Sequence, residues 1–113
     1  MMIGVKMKFK GQPTIEFEEV KGIVKLVESK EDAKKIKPKH IVVADSTIPE
    51  YLPELLDAKG IVTASGGLLS HSAILSRESN IPTIIGVERI DEILKDGQEI
   101  IMKGNGQLIV KNK

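Results

Sequence analysis

The stretch from Gly60 to Gly86, GIVTASGGLLSHSAILSRESNIPTIIG, constrains the fold more than any other part of the chain. A strand-like run, Ile61 to Ala64, ends in Ser65-Gly66-Gly67. A helical pattern starts at about Ser70 and continues to about Ser79. Asn80 then precedes a second apolar run, Ile81-Pro82-Thr83-Ile84-Ile85, which stops at Gly86. Strand, glycine loop, helix and strand in that order read as the middle of a layered α/β domain. His71 falls at the start of the helix, just after the glycines.

That position has consequences. The first N–H groups of a helix lack intrahelical partners, and the dipole makes that end positive. Phosphate and other anions settle there. Gly66 and Gly67 let the backbone approach closely and take up positive φ. A neutral imidazole at such a place can attack phosphorus while N–H groups hold the phosphoryl oxygens. Position alone leaves a plainer alternative open, in which His71 only caps or packs against the helix end.

Length and composition narrow the classes. The 113 residues suit one compact domain, and 41% are hydrophobic, enough for one core. With two Phe, one Tyr and no Trp, that core is aliphatic, and base stacking has few candidates. The net charge of +1, with both signs interleaved, gives no global field to steer nucleic acid or an anionic membrane. The absence of cysteine excludes disulfides and thiolate metal sites. No run is long enough to span a bilayer, and the first residues are too short in apolar run for a signal peptide, so a cytoplasmic protein is expected.

Along the chain, Ile3 to Phe9 alternates apolar and polar, Gly11-Gln12-Pro13 reads as a turn, and Thr14 to Glu18 alternates again. Residues 1–20 are therefore expected to form an extra N-terminal hairpin on a single domain spanning 1–113. Gly22 to Val27 is a further strand, and Ser29 offers an N-cap for a helix that Pro38 closes. His40 to Ala44 is a buried strand, with His40 read as a strand-edge residue. A short helix is expected within 48–57; Asp45 and Thr47 follow a strand end, where sites in layered α/β proteins gather, although Thr47 reads first as the helix cap. Glu88 to Leu94 suits another short helix. Gln98–Met102 and Gln107–Val110 read as strands joined by Gly104-Asn105-Gly106, a strong hairpin signal. The pattern alone gives an α/β domain with a mixed sheet.

One run is more specific than these patterns. Gly66-Gly67-Leu68-Leu69-Ser70-His71-Ser72-Ala73-Ile74, then Ser76-Arg77-Glu78 and Ile81 to Gly86, resembles the signature of the PEP-utilising enzyme mobile domain. This is the phosphohistidine or swivelling domain of phosphoenolpyruvate (PEP) synthase, pyruvate phosphate dikinase and enzyme I of the sugar phosphotransferase system. The family pattern is roughly G-G-x-T-S-H-x-A-I-x-A-R-E-x-G-I-P-x-V-x-G, and the likeness extends loosely from Ile41 to about Val110. It implies the swivelling β/β/α fold: barrel-like mixed sheets with helices packed on one side. It implies that His71 is transiently phosphorylated, with Gly66, Gly67, Ser70, Ser72 and Arg77 around the phosphate. No metal or cofactor is expected on the domain itself. Mg²⁺ with ATP or PEP is expected on partner proteins in trans, an ATP-grasp unit, a PEP/pyruvate-binding barrel or both. The expected function is a stand-alone phosphohistidine carrier, an incomplete phosphotransferase without those partners. The alternative is a catalytically silent swivelling module used for binding or regulation.

Two departures stand out. Leu69 occupies the usual threonine position, so regulation by phosphorylation there is not expected. Asn80 replaces a glycine, a mild change because Asn tolerates the left-handed conformation that ends a helix. Arg77 lies six residues beyond His71, about 120° round a helix, so a contact with a carboxylate or a docked partner competes with a direct grip on phosphate. Ser70 and Ser72 are too near His71 in sequence for a Ser-His hydrolase triad.

Overall fold

The structure is a computed structural model and describes residues 7–47, 51–68 and 70–111, the Leu52 side chain excepted. Among the described residues, eight strands and four short helices follow one another: β1 (Met7–Lys10), β2 (Gln12–Pro13), β3 (Glu19–Leu26), α1 (Lys30–Ala33), β4 (His40–Ala44), α2 (Leu52–Leu55), β5 (Gly60–Thr63), α3 (His71–Ser79), β6 (Thr83–Ile85), α4 (Ile90–Ile93), β7 (Glu99–Lys103) and β8 (Gln107–Val110). They form one mixed sheet in the order β1-β8-β7-β3-β4-β5-β6-β2. The four neighbours β3, β4, β5 and β6 are parallel, and the remaining pairs are antiparallel.

The sheet curls until its edges meet. β1 and β2 stand at opposite ends of the strand order, yet only Gly11 separates them in sequence. One extended segment therefore pairs first with β8 (Met7 opposite Val110) and then with β6 (Pro13 opposite Ile84). Gly11 N–H donates to the Gly106 carbonyl at 2.9 Å across the seam. A side chain at Gly11 would collide with Val87 and with the Ile85 carbonyl. Gly106 sits at φ +95, in the left-handed region that favours glycine. The closed sheet is the barrel-like arrangement expected for the swivelling fold.

The expected N-terminal hairpin does not form. Residues 3–6 of its first strand lie outside the described residues, residues 14–18 form no strand, and Gln12–Pro13 is not a turn but the strand β2. Barrel closure accounts for the difference: β8 and β6 offer two edges to one segment, which satisfies more backbone groups than a two-stranded ribbon.

Two cores lie on the two faces of the parallel strands. Inside the barrel, Ile41, Val43, Val62 and Ile84 meet Met102, Leu108 and Val110. Outside, Val42, Ala44 and Ile61 meet Ala33 and Ile36 after Ser29, Leu55 of α2 and Leu75 of α3. The period-two alternation of β4 feeds both cores, which is why every residue of HIVVA is buried. Three helices cover the outer face, whereas Ile90 and Leu94 at α4 join the inner core. Gly104-Asn105-Gly106 makes the β7–β8 hairpin as its sequence predicts. No helix among the described residues is long and apolar enough to cross a membrane.

Candidate functional site at the start of α3

Parallel strands end together, so the C-terminal ends of β4, β5 and β6 share one pole of the barrel. The glycine loop is pinned there. Ser65 donates to the Asp45 carbonyl through both its N–H (2.9 Å) and its hydroxyl (2.7 Å). Thr63 Oγ1 donates to the Ser65 carbonyl at 2.7 Å. These bonds hold the end of β5 against the end of β4. They bring residues 45–47 alongside the beginning of α3.

Ser70 is the N-cap of α3. Its backbone is extended (φ −71, ψ 162), and its Oγ accepts from Ala73 N–H at 3.3 Å. Its own N–H donates to the Gly67 carbonyl at 3.0 Å. Among the described residues this leaves the amides of His71 and Ser72 as the unspent donors of the helix end. The first turn carries no acidic residue to compete for them. Gly66 is at φ +122, where glycine is favoured, and a Cβ added there would press on Ser70 Oγ at 3.2 Å. The space where a Gly67 Cβ would stand is open, with nothing within 4 Å. At its far end α3 stops on Asn80 in the left-handed conformation (φ 56), as the Gly-to-Asn departure anticipates.

His71 itself is half-buried. Its Nδ1 lies 3.2 Å from Thr47 Oγ1, and Thr47 Oγ1 lies 2.5 Å from Ser72 Oγ. Thr47 and Ser72 are both buried. Thr47 has one proton to give. When it donates to Ser72, it accepts from His71 Nδ1–H, which leaves the lone pair on Nε2. The relay can therefore fix the imidazole in the tautomer whose free nitrogen is Nε2.

The expected site residues fall into two groups. Gly66, Gly67, Ser70 and His71 gather at the open helix end. Ser72 faces inward to Thr47 and acts on His71 through that hydroxyl. Arg77 reaches back along the exposed side of α3, where Nη2 donates to the Leu68 carbonyl at 2.8 Å. The guanidinium thus braces the glycine loop. Leu69 lies outside the described residues. Thr47, read from sequence first as a helix cap and second as a site residue, spends its hydroxyl on His71 and Ser72. The one signal for it was its place just past the end of β4.

The second histidine has a different environment. His40 is buried at the start of β4, and Nδ1 accepts from Lys37 N–H at 2.9 Å. Burial first, then the charges of Lys39, Lys25 and Lys37, hold its pKa below the usual histidine value. It is a neutral structural residue at the opposite pole.

A half-exposed imidazole with one nitrogen engaged thus stands at a helix N-terminus behind a glycine loop. The profile of the PEP-utilising enzyme mobile domain matches residues 36–107, and the chain belongs to that family. It is 36% identical over 88 residues to a probable phosphoenolpyruvate synthase of Methanothermobacter thermautotrophicus, covering 78% of this chain and 13% of that protein. It is 35% identical over 85 residues to rifampicin phosphotransferase of Bacillus subtilis, covering 75% of this chain and 10% of that protein. Among solved structures, the N-terminal domain of Enzyme 1 - Nitrogen superposes with a TM-score of 0.58 at 31% identity, covering 71% of this chain and 34% of that one. The chain thus corresponds to about a tenth of the curated relatives, a small part of larger multidomain enzymes.

Proposed function

We propose that this domain carries a phosphoryl group on His71 Nε2. It takes the group from an ATP- or PEP-using partner and passes it to an acceptor. The observation that carries this reading is the Thr47–His71 contact at the amino end of α3, where Nδ1 is engaged and the amides of His71 and Ser72 are free.

The step balances on this chain's own atoms. The Nε2 lone pair attacks the phosphorus, and the phosphorus–oxygen bond to the donor breaks. The electron pair leaves with the donor, as enolpyruvate from PEP or as a nucleotide or phosphate product from ATP. Nδ1 keeps its proton and donates it to Thr47 Oγ1, which stabilises the positive ring of the N-phosphoryl product. The phosphoryl oxygens take the helix-end amides, an interaction of about 0.3–1 kcal/mol at an exposed end. Transfer onward reverses these events with a new nucleophile. Gly66 and Gly67 leave the approach open, Ser70 holds the first turn, and Arg77 holds the loop.

Mg²⁺ and the nucleotide or PEP belong to partner domains in this scheme, an ATP-grasp unit, a PEP/pyruvate-binding barrel or both. The relatives named as phosphoenolpyruvate synthases support that choice. The test is to mix the protein with labelled ATP or PEP and such partner proteins, then assay acid-labile phosphate on the chain. Label on the wild type and none on His71→Ala supports the proposal. Equal label on both, or none on either with every partner tried, sinks it and leaves a silent module.

A further inference from the structure

We propose that the barrel pole opposite His71 is a docking surface for an acidic polypeptide segment. The site lies at the N-terminal ends of the parallel strands. A groove of about 260 Å³ is lined by Lys21, Lys39, Lys59 and Lys111 over a floor that includes Ile23, Ile100 and Ile101. A second groove, about 420 Å³, shares Ile23 and Lys39 with the first and adds Lys25, Lys35 and Lys37. The two adjoin through these shared residues, and their lysines form one basic channel across the middle of β3 and the start of β4.

The channel holds two carboxylates, and each is already paired: Glu99 with Lys111 at 3.5 Å, and Asp96 with Lys25 at 3.6 Å. Among the described residues, Lys35, Lys37, Lys39 and Lys59 have no carboxylate within ion-pair distance. The net charge of +1 therefore hides a segregation along the strand axis. Near the other pole, Glu28, Asp45 and Asp91 line a groove of about 300 Å³.

The side-chain types choose the occupant. Every cation in the channel is lysine. Arginine forks suit one planar oxyanion held in fixed geometry, whereas mobile ammonium groups suit carboxylates strung along a flexible chain. No Phe, Tyr or Trp lines either groove, and the one imidazole, His40, is buried, so single-stranded nucleic acid has little to stack on. The isoleucine floor can take the methylene stems of glutamates. Because the channel and His71 are at opposite poles, a segment held there leaves the helix end open. The inference stands independently of whether His71 is phosphorylated.

The experiment is a heteronuclear NMR titration of the whole chain with a short glutamate-rich peptide. The expected result is saturable shifts at Gly22, Lys39, His40 and Gly60, with Gly66 and His71 unmoved. The affinity should fall about tenfold or more in a Lys39→Glu/Lys59→Glu variant and fall again when salt shortens the Debye length to a few Å. The milder Lys39→Gln/Lys59→Gln variant, checked for an unchanged melting temperature, repeats the test without charge reversal. Absence of saturable shifts, shifts centred on His71, or tighter binding of an oligonucleotide or inorganic polyphosphate than of the peptide would each overturn the proposal.

Discussion

His71 and His40 make the instructive comparison. Both stand at the first residue of an element, and in both Nδ1 faces a polar partner. His71 opens a nine-residue helix, remains half-exposed, and meets a hydroxyl that can accept as well as donate. His40 opens a strand, is 9% exposed, and accepts from an amide that can only donate. The amide fixes His40 with its proton on Nε2 and no free lone pair. The hydroxyl permits the reverse tautomer at His71. Surrounding lysines further disfavour any charge on His40, whereas the N-terminus of α3 welcomes an added anion. In the proposed reading, reactivity is decided by what the second nitrogen meets and by which element the ring begins.

The largest expected separation is between the two truncations. His71→Ala should abolish phosphate labelling and leave the melting temperature nearly unchanged, because the ring is half-exposed. His40→Ala should keep labelling but destabilise the fold by about 1–3 kcal/mol, since it orphans the Lys37 amide in a buried turn. Denaturant titration beside the labelling assay reads both. If His40→Ala loses labelling while still folded, the division of roles is wrong.

Thr47→Val comes next. It keeps the volume and removes the hydroxyl, leaving Ser72 Oγ without its buried partner. The expected cost is about 1–3 kcal/mol in stability and about tenfold in labelling rate, equivalent to about 1.4 kcal/mol. Thr47→Ser should restore the rate. Failure of that rescue would show that Thr47 acts through packing alone.

Ser70→Ala removes the cap of α3 and should cost about 1 kcal/mol, read by thermal melting. Its effect on labelling should be smaller than that of Thr47→Val, because the imidazole keeps its own partner.

The smallest effect is in pH dependence. His40 has a folded pKa below its ordinary 6.5, so in that window the unfolded chain binds more protons and stability rises with pH. The contribution is complete above 6.5 and is lost as pH falls through the lower folded value. His40→Gln should remove that slope. A second slope, at more acid pH, should survive it: the Glu28 amide holds Asp32 below its ordinary 3.8, so this contribution is present above 3.8 and lost below.

Much of this arrangement is legible in one dimension. The strand, glycine loop, helix and strand from Gly60 onward involve neighbours in sequence, so local rules suffice for a helix that starts at about Ser70 and stops at Asn80. The Gly104–Gly106 hairpin is local for the same reason. What the sequence hides is long-range. Barrel closure depends on Gly11 meeting Gly106, and a strand that changes partner midway looks from sequence like two strands and a turn. Thr47 reaches His71 across 24 positions, so no spacing rule pairs them. The inward turn of Ser72 follows from its helix phase against β4, which only packing decides. The partner of Arg77 is a backbone carbonyl, that of Leu68, which side-chain chemistry does not announce.

The central claim is that His71 presents Nε2 and carries phosphate there. Long-range ¹H–¹⁵N correlation of the imidazole, before and after phosphorylation by a PEP- or ATP-using partner, tests it most directly. The account predicts a proton on Nδ1 in the free protein and phosphorus coupled to Nε2 in the product. A free ring protonated mainly on Nε2 together with phosphate on Nδ1, or an imidazole that never acquires phosphorus, would contradict it.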